Sequence, residues 1–162
     1  MAKKKIPPEM RDIAEVVKRE CKSFEDFLFK VRVERDTPYS RLSAIISRGG
    51  EKEVRTVRDA CAGVTEDGKP VERELVEYVR GLGICGKKRI KIYRGGTPIR
   101  VGDWVTLERE YAEWYGPVYT KVVSPEDVIW SGIFVKEWFY VPKRLRGYFR
   151  DLREFWEAVK DA

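Results

Sequence analysis

Three side chains in the second half of this 162-residue chain have the types needed for ionic and acid–base chemistry. Arg94 closes an apolar run and precedes two glycines, so its rigid fork of donors adjoins backbone that a ligand can approach closely. Thr106 offers a hydroxyl that can orient a charged neighbour by hydrogen bonding. Glu137 lies among Phe134, Val135, Trp138 and Phe139, where an unpaired charge is unfavourable. Such a carboxylate is a functional candidate, although structural ion pairs give the same signal.

The segments that carry these residues occur in an order that resembles the arginine-type ADP-ribosyltransferase-like domains of phage-type and other mobile-element proteins. The resemblance covers roughly residues 88 to 142. It implies a split-sheet fold, NAD as substrate, and Arg94, Thr106 and Glu137 as the catalytic residues. The matching motifs are Tyr93-Arg94-Gly95-Gly96, Gly102-Asp103-Trp104-Val105-Thr106, the helix-like stretch from Glu108 to Gly116, and Glu137-Trp138-Phe139-Tyr140-Val141-Pro142.

The reaction that the resemblance implies is cleavage of the bond between nicotinamide and ribose, by a mono-ADP-ribosyltransferase or an NAD glycohydrolase. Its transition state has oxocarbenium character, so it needs a cation at the diphosphate and a carboxylate beside the ribose. Arg94 and Glu137 suit those two needs, with the nicotinamide amide on the Gly95 backbone. Tyr111 or Tyr115 could stack on nicotinamide, or both could pack their helix on the sheet. The hypothesis requires a guanidinium, a hydroxyl and an acid in a single crevice.

Two departures from the family pattern affect the implied activity. Thr106-Leu107-Glu108 has no second hydroxyl, and Val135 stands where arginine-modifying transferases have Glu or Gln. An arginine acceptor is therefore not implied, and the macromolecular acceptor is left open. A catalytically inactive relative that serves as an interaction module is an alternative interpretation.

The composition excludes several other classes of site. The chain contains no histidine, asparagine or glutamine, so a Ser-His-Asp or Cys-His catalytic centre and a histidine-containing zinc site cannot form. The absence of asparagine and glutamine, together with 37% charged residues, suggests a heat-adapted source. The three cysteines, Cys21, Cys61 and Cys85, are widely spaced, so we expect them to be reduced and to pack as small residues in the interior. A Cys21–Cys61 bridge is the alternative.

The charge and hydropathy patterns bear on partners and location. The net charge of +6 can attract an anion such as NAD or nucleic acid. No apolar run is long enough to cross a bilayer and the first residues contain no secretory signal, so we expect a cytoplasmic protein, or one of the host cytoplasm if viral. A nucleic-acid-binding protein is the second alternative, based on three basic clusters with aromatic residues near one of them. The clusters are Lys3-Lys4-Lys5, Lys87-Lys88-Arg89 and Lys143-Arg144-Leu145-Arg146.

Hydrophobic periodicity predicts an α+β fold. Apolar residues at three- and four-residue intervals predict five helices between residues 7 and 83, with Ser23 and Thr37 as N-caps. From residue 88 the period changes to alternation, which predicts a mainly antiparallel sheet with few helices and a final helix from Tyr148 to Val159. We therefore expect a helical region at 1–86 and an ADP-ribosyltransferase-like α+β region at 87–162.

Overall fold

The N-terminal half of the protein is helical in the computed structural model, which describes residues 4–34, 38–51 and 53–162. A single 3₁₀ turn, Pro8–Met10, leads into the first helix. A π-helical segment, Ser43–Arg48, continues α3. The helices of this half are α1 (Arg11–Glu20), α2 (Phe24–Val33), α3 (Tyr39–Leu42), α4 (Val57–Ala62) and α5 (Arg73–Gly81).

Side-chain caps fix two of these helix starts. The Ser23 hydroxyl accepts a hydrogen bond from the Asp26 amide, as the sequence predicts. Thr56 and Asp59 form a reciprocal capping box at α4. The predicted cap Thr37 lies outside the described residues.

The C-terminal half contains two small antiparallel sheets, which confirms an α+β fold with a helical N-terminal part. One sheet pairs β1 with β3, and the other has the order β2-β5-β4. An isolated bridge between Tyr93 and Thr106 links the two sheets. The elements are β1 (Ile90–Gly95), β2 (Trp104–Val105), α6 (Arg109–Glu113), β3 (Val118–Val123), β4 (Val128–Trp130), β5 (Trp138–Tyr140) and α7 (Leu152–Asp161).

The last helix begins later than its periodicity predicts. Leu152 is its first residue, because the Asp151 carboxylate caps it by accepting from the Glu154 amide. Tyr148, predicted as its start, lies before the helix and donates its hydroxyl hydrogen to the Lys5 carbonyl. This contact ties the segment before α7 to the start of the described chain.

Two hydrophobic cores lie on either side of the β2-β5-β4 sheet. The first core joins α1, α2, α3 and α7 to Ile129 of β4. The second joins α4 and α5 to Val105 and Trp138 of the sheet. Each core therefore draws on residues from both sides of position 86. In the described part of the chain, no helix combines the length and the apolar character that a membrane crossing needs.

The cysteines differ from the sequence-based expectation. Cys61 and Cys85 form a disulfide with their α-carbons 5.5 Å apart, whereas Cys21 is free and buried. The predicted reduced state is therefore confirmed for Cys21 and wrong for Cys61 and Cys85, and the alternative Cys21–Cys61 bridge is wrong. The physical reason is that α4 packs on α5, which brings the end of α4 to the turn that follows α5. Burial, opposed by the hydrogen bond with Tyr39, raises the pKa of Cys21.

Candidate functional site

Arg94 lies near the end of β1 with its side chain 19% exposed. Its Nε donates to Thr97 Oγ1 and its Nη1 to the Trp104 carbonyl, both at 2.8 Å. Its Nη2 lies 3.8 Å from Asp103 Oδ1, a carboxylate that is 2% exposed. The guanidinium therefore holds the loop between β1 and β2 in place.

Other protein atoms fill the space that a side chain at position 95 would need. A β-carbon there would meet the Ala112 carbonyl oxygen of α6 and would lie 2.9 Å from Tyr115 Cβ. The absence of a side chain lets α6 pack directly against β1. On this side of Gly95 the close approach that a glycine permits is made by a helix.

Thr106 is fully buried and pairs with Tyr93 through two backbone hydrogen bonds of 2.9 Å. Its Oγ1 lies 3.4 Å from the Glu108 amide, which donates to it. Directly opposed residues of an antiparallel pair have their side chains on the same face. The Thr106 side chain is therefore on the face of Tyr93.

Glu137 precedes β5 and continues its ladder, since its carbonyl accepts from the Ser131 amide at 3.1 Å. Its carboxylate interacts with the Tyr111 hydroxyl. The hydrogen bond with Tyr115, then burial, then the charges of Tyr115 and Glu137 raise the pKa of Tyr111 to about 12. The structure therefore brings Glu137, Tyr111 and Tyr115 together.

The strand register places Arg94 and Glu137 on opposite faces. Successive strand residues point to alternate faces, so Arg94 is on the face opposite to Tyr93 and Thr106. That face contains Ile92 of the second core. Val105 and Trp138 are paired, so their side chains share the face of the second core. Thr106 and Glu137 are each one residue away from this pair along their strands, so their side chains lie on the opposite face from Arg94. The three predicted catalytic side chains are thus not brought into one crevice.

A group of exposed apolar residues lies near Glu137. The sequence did not predict that these residues come together. Trp104 and Tyr115 have ring centroids 5.0 Å apart, and Tyr111 lies 5.8 Å from both rings. Phe134 contacts Tyr111 at 6.0 Å. We use the name aromatic surface for these four rings together with Trp114 and Ile133, the exposed chain neighbours of Tyr115 and Phe134.

Four members of the aromatic surface are strongly exposed to solvent. Trp114 and Ile133 are each 86% exposed, Tyr115 is 55% exposed and Phe134 is 42% exposed. Trp114 follows Glu113 near the Gly116-Pro117 turn, and Ile133 follows Ser131-Gly132. Nearby turn residues are the sequence signal that both side chains lie outside a core.

Carboxylates predominate beside the aromatic surface. We call Glu108, Glu110, Glu113 and Glu137 the acidic rim. Lys136 Nζ lies 3.6 Å from Glu108 Oε2 and 5.6 Å from the centre of the Tyr111 ring. Arg109 pairs with Glu113 at 3.6 Å. The acidic rim therefore has four carboxylates and two neighbouring cations, so this surface is net negative, whereas the whole chain has a net charge of +6.

Tyr78 joins the acidic rim to α5. Its hydroxyl donates to Glu108 Oε2. Burial, followed by this hydrogen bond, raises the pKa of Tyr78. The contact orients the carboxylate that also attracts Lys136.

Among the described residues, no group of three or more cysteine, aspartate or glutamate side chains is arranged to hold a metal ion. Comparison with known proteins adds no further constraint: no family model, curated protein or solved structure matches this chain.

Proposed function

We propose that this protein is a binding module that docks a basic, partly apolar protein segment on the aromatic surface. The observation that carries the proposal is a connected group of four rings in which Tyr115 is 55% and Phe134 is 42% exposed. The 86% exposed Trp114 and Ile133 are the chain neighbours of those two residues. Contiguous exposed apolar groups mark interaction sites, whereas single exposed apolar residues are ordinary. Tryptophan and tyrosine are also the residue types that contribute most to binding at interfaces.

The acidic rim supports a basic occupant. Glu110 and Glu137 make no ion pair in the described part of the chain, so both carboxylates can meet lysine or arginine side chains of a partner. An arginine can also lie over an exposed ring in a cation–π contact. A phosphate backbone would be repelled by the same rim, and this disfavours nucleic acid at this surface.

A peptide array tests the docking proposal. The protein is applied to random 12-residue peptides, and affinities of the bound peptides are then measured by fluorescence anisotropy. We expect enrichment of arginine and lysine together with apolar residues. Trp114→Ala should weaken binding by at least about tenfold, as expected when an exposed tryptophan contributes to an interface.

The matched control is Phe29→Ala, which removes another exposed aromatic side chain from α2, outside the aromatic surface. It should leave affinity unchanged. Bound peptides without basic enrichment, or equal losses in the two variants, would overturn the proposal. Preferential capture of a single-stranded oligonucleotide would favour the nucleic-acid alternative.

Cleavage of NAD is the second candidate function. The observation in its favour is that the Glu137 carboxylate, the Thr106 side chain and two tyrosines share one face. The guanidinium of Arg94 lies on the other face, bonded to its own loop. The test is NAD turnover by the wild type beside Glu137→Ala. No turnover by either protein is the outcome expected of a binding module; turnover that disappears in the folded variant supports the NAD hypothesis.

A further inference from the structure

A cavity of about 480 Å³ lies beside Lys121 of β3, and none of the residues that line it belongs to the aromatic surface. Its walls come from the turn before α1 and the start of α1, from α3, from the loop before β2, from β3, and from the end of β5 with the turn that follows it. This volume lies within the range of small-ligand sites, about 300 to 1,000 Å³. The cavity is therefore large enough for a nucleotide.

The cavity wall has an excess of positive charge. Four cations face two carboxylates, those of Glu9 and Asp12. The cations are Arg41, Arg100, Lys121 and Arg144. Such an excess inside a concave, partly desolvated site attracts an anion more strongly than the same charges on an open surface.

Two of the four cations have structural partners. Arg41 is buried, donates from Nε to the Val101 carbonyl at 2.8 Å and pairs with Asp12 at 2.5 Å. Arg144 forms an ion pair with Glu9. Both guanidinium groups are therefore neutralised in place.

The other two cations are available to a ligand. Lys121 makes no ion pair within the described residues, and its Nζ lies 5.7 Å from the centre of the Tyr140 ring. Among the residues that the structure describes, the ion pairs of Arg100 are both long, 3.8 Å to Asp12 and 3.7 Å to Asp103. The guanidinium of Arg100 offers several donors in a fixed plane, and the ammonium of Lys121 offers a compact positive charge. Together they suit the oxygens of a diphosphate.

We propose that this cavity binds a nucleoside diphosphate, with the diphosphate held by Arg100 and Lys121. The apolar part of the wall, Ile99 with the Tyr140 ring, gives a base a surface to lie against. The site is independent of the docking of a basic segment, because no residue that lines the cavity belongs to the aromatic surface or to the acidic rim.

Isothermal titration calorimetry with ADP, inorganic pyrophosphate and adenosine tests the site. We expect ADP to bind at least about tenfold more tightly than pyrophosphate, and adenosine to bind more weakly than ADP. Lys121→Ala should raise the Kd for ADP at least about tenfold, and Lys121→Arg should restore most of the affinity. Lys121 is an exposed strand residue, so these variants should fold.

The matched control is Lys136→Ala, which removes a lysine that lies beside Glu108 of the acidic rim and does not line the cavity. It should leave the Kd for ADP unchanged. No heat of binding with millimolar ADP, or equal losses in Lys121→Ala and Lys136→Ala, would overturn the proposal. Equal affinity for ADP and pyrophosphate would overturn its nucleoside part.

Discussion

Tyr93 and Thr106 exchange both of their backbone hydrogen bonds, each with an N···O distance of 2.9 Å. This single pair joins the two sheets and sets the face on which each neighbouring side chain lies. A shift of one residue in the pairing would bring Arg94 to the face of Thr106 and Glu137. The observed register instead directs Arg94 towards Asp103 and the second core.

Asp103 should stabilise the fold through its contacts with two arginines. Its buried carboxylate accepts from the Arg100 amide at 2.7 Å and lies 3.8 Å from Arg94 Nη2. We expect Asp103→Asn to lower the free energy of unfolding by about 2 kcal/mol, since it weakens a charged hydrogen bond and leaves Arg94 without its anion. Urea denaturation measures the change. Glu15→Gln on the exposed side of α1 is the control, and an equal effect of both substitutions would refute this role.

Gly95 should tolerate no side chain. In Gly95→Ala the added methyl group meets the Ala112 carbonyl, so α6 must shift, at a cost of about 1 to 3 kcal/mol. The control is Gly81→Ala at the end of α5, where a β-carbon meets nothing within 4 Å. That variant should be neutral or more stable by up to about 1 kcal/mol. The melting temperatures of the two variants are measured by thermal denaturation. Similar values would contradict the close packing of α6 against β1.

The Cys61–Cys85 bond should stabilise the protein. It closes a loop with a sequence separation of 24, and a loop of that size corresponds to about 3 kcal/mol by the chain-entropy model. Reduction should therefore lower the melting temperature, and the double variant Cys61→Ala with Cys85→Ala should melt at the reduced value. Thiol titration of the denatured, unreduced protein should find one free thiol, that of Cys21. Three free thiols before reduction would show that the bond is absent.

Tyr111 should make stability fall in alkaline solution. An unfolded tyrosine ionises near pH 10, whereas the hydrogen bond with Tyr115, burial and Glu137 raise the pKa of Tyr111 to about 12 in the folded state. The contribution is complete below pH 10 and is lost as the pH rises towards 12. Unfolding measured in urea at pH 9, 10 and 11 should show a smaller decline for Tyr111→Phe than for Tyr119→Phe, which alters an exposed ring on β3. Identical declines would count against the Tyr111 contacts.

Local features of the fold were predictable because short-range physics determines them. Ser23 caps α2 through the Asp26 amide three residues on, and the alternation that ends at Arg94 forms β1. The start of α7 was misplaced because the aromatic Tyr148 fits the helical period, whereas Asp151 supplies the cap. The Cys61–Cys85 pair depends on how α4 packs against α5, which periodicity does not describe.

The candidate site was predictable only in part. Alternation of Ile90, Ile92 and Arg94 already places the arginine on the core side of its own strand. Whether Thr106 and Glu137 share that side depends on the register between strands far apart in sequence. The Tyr93–Thr106 pairing decides this relationship, and the same long-range geometry assembles the aromatic surface from α6 and the segment before β5.

The separation of Arg94 from Glu137 is the central structural claim, and a carbon-edited NOESY spectrum of the wild-type protein tests it most directly. The account predicts cross-peaks from the Tyr111 ring to the Glu137 side chain and to Trp104, and cross-peaks from Arg94 side-chain protons to Thr97. Cross-peaks that join Arg94 side-chain protons to the Glu137 side chain or the Tyr111 ring would contradict it.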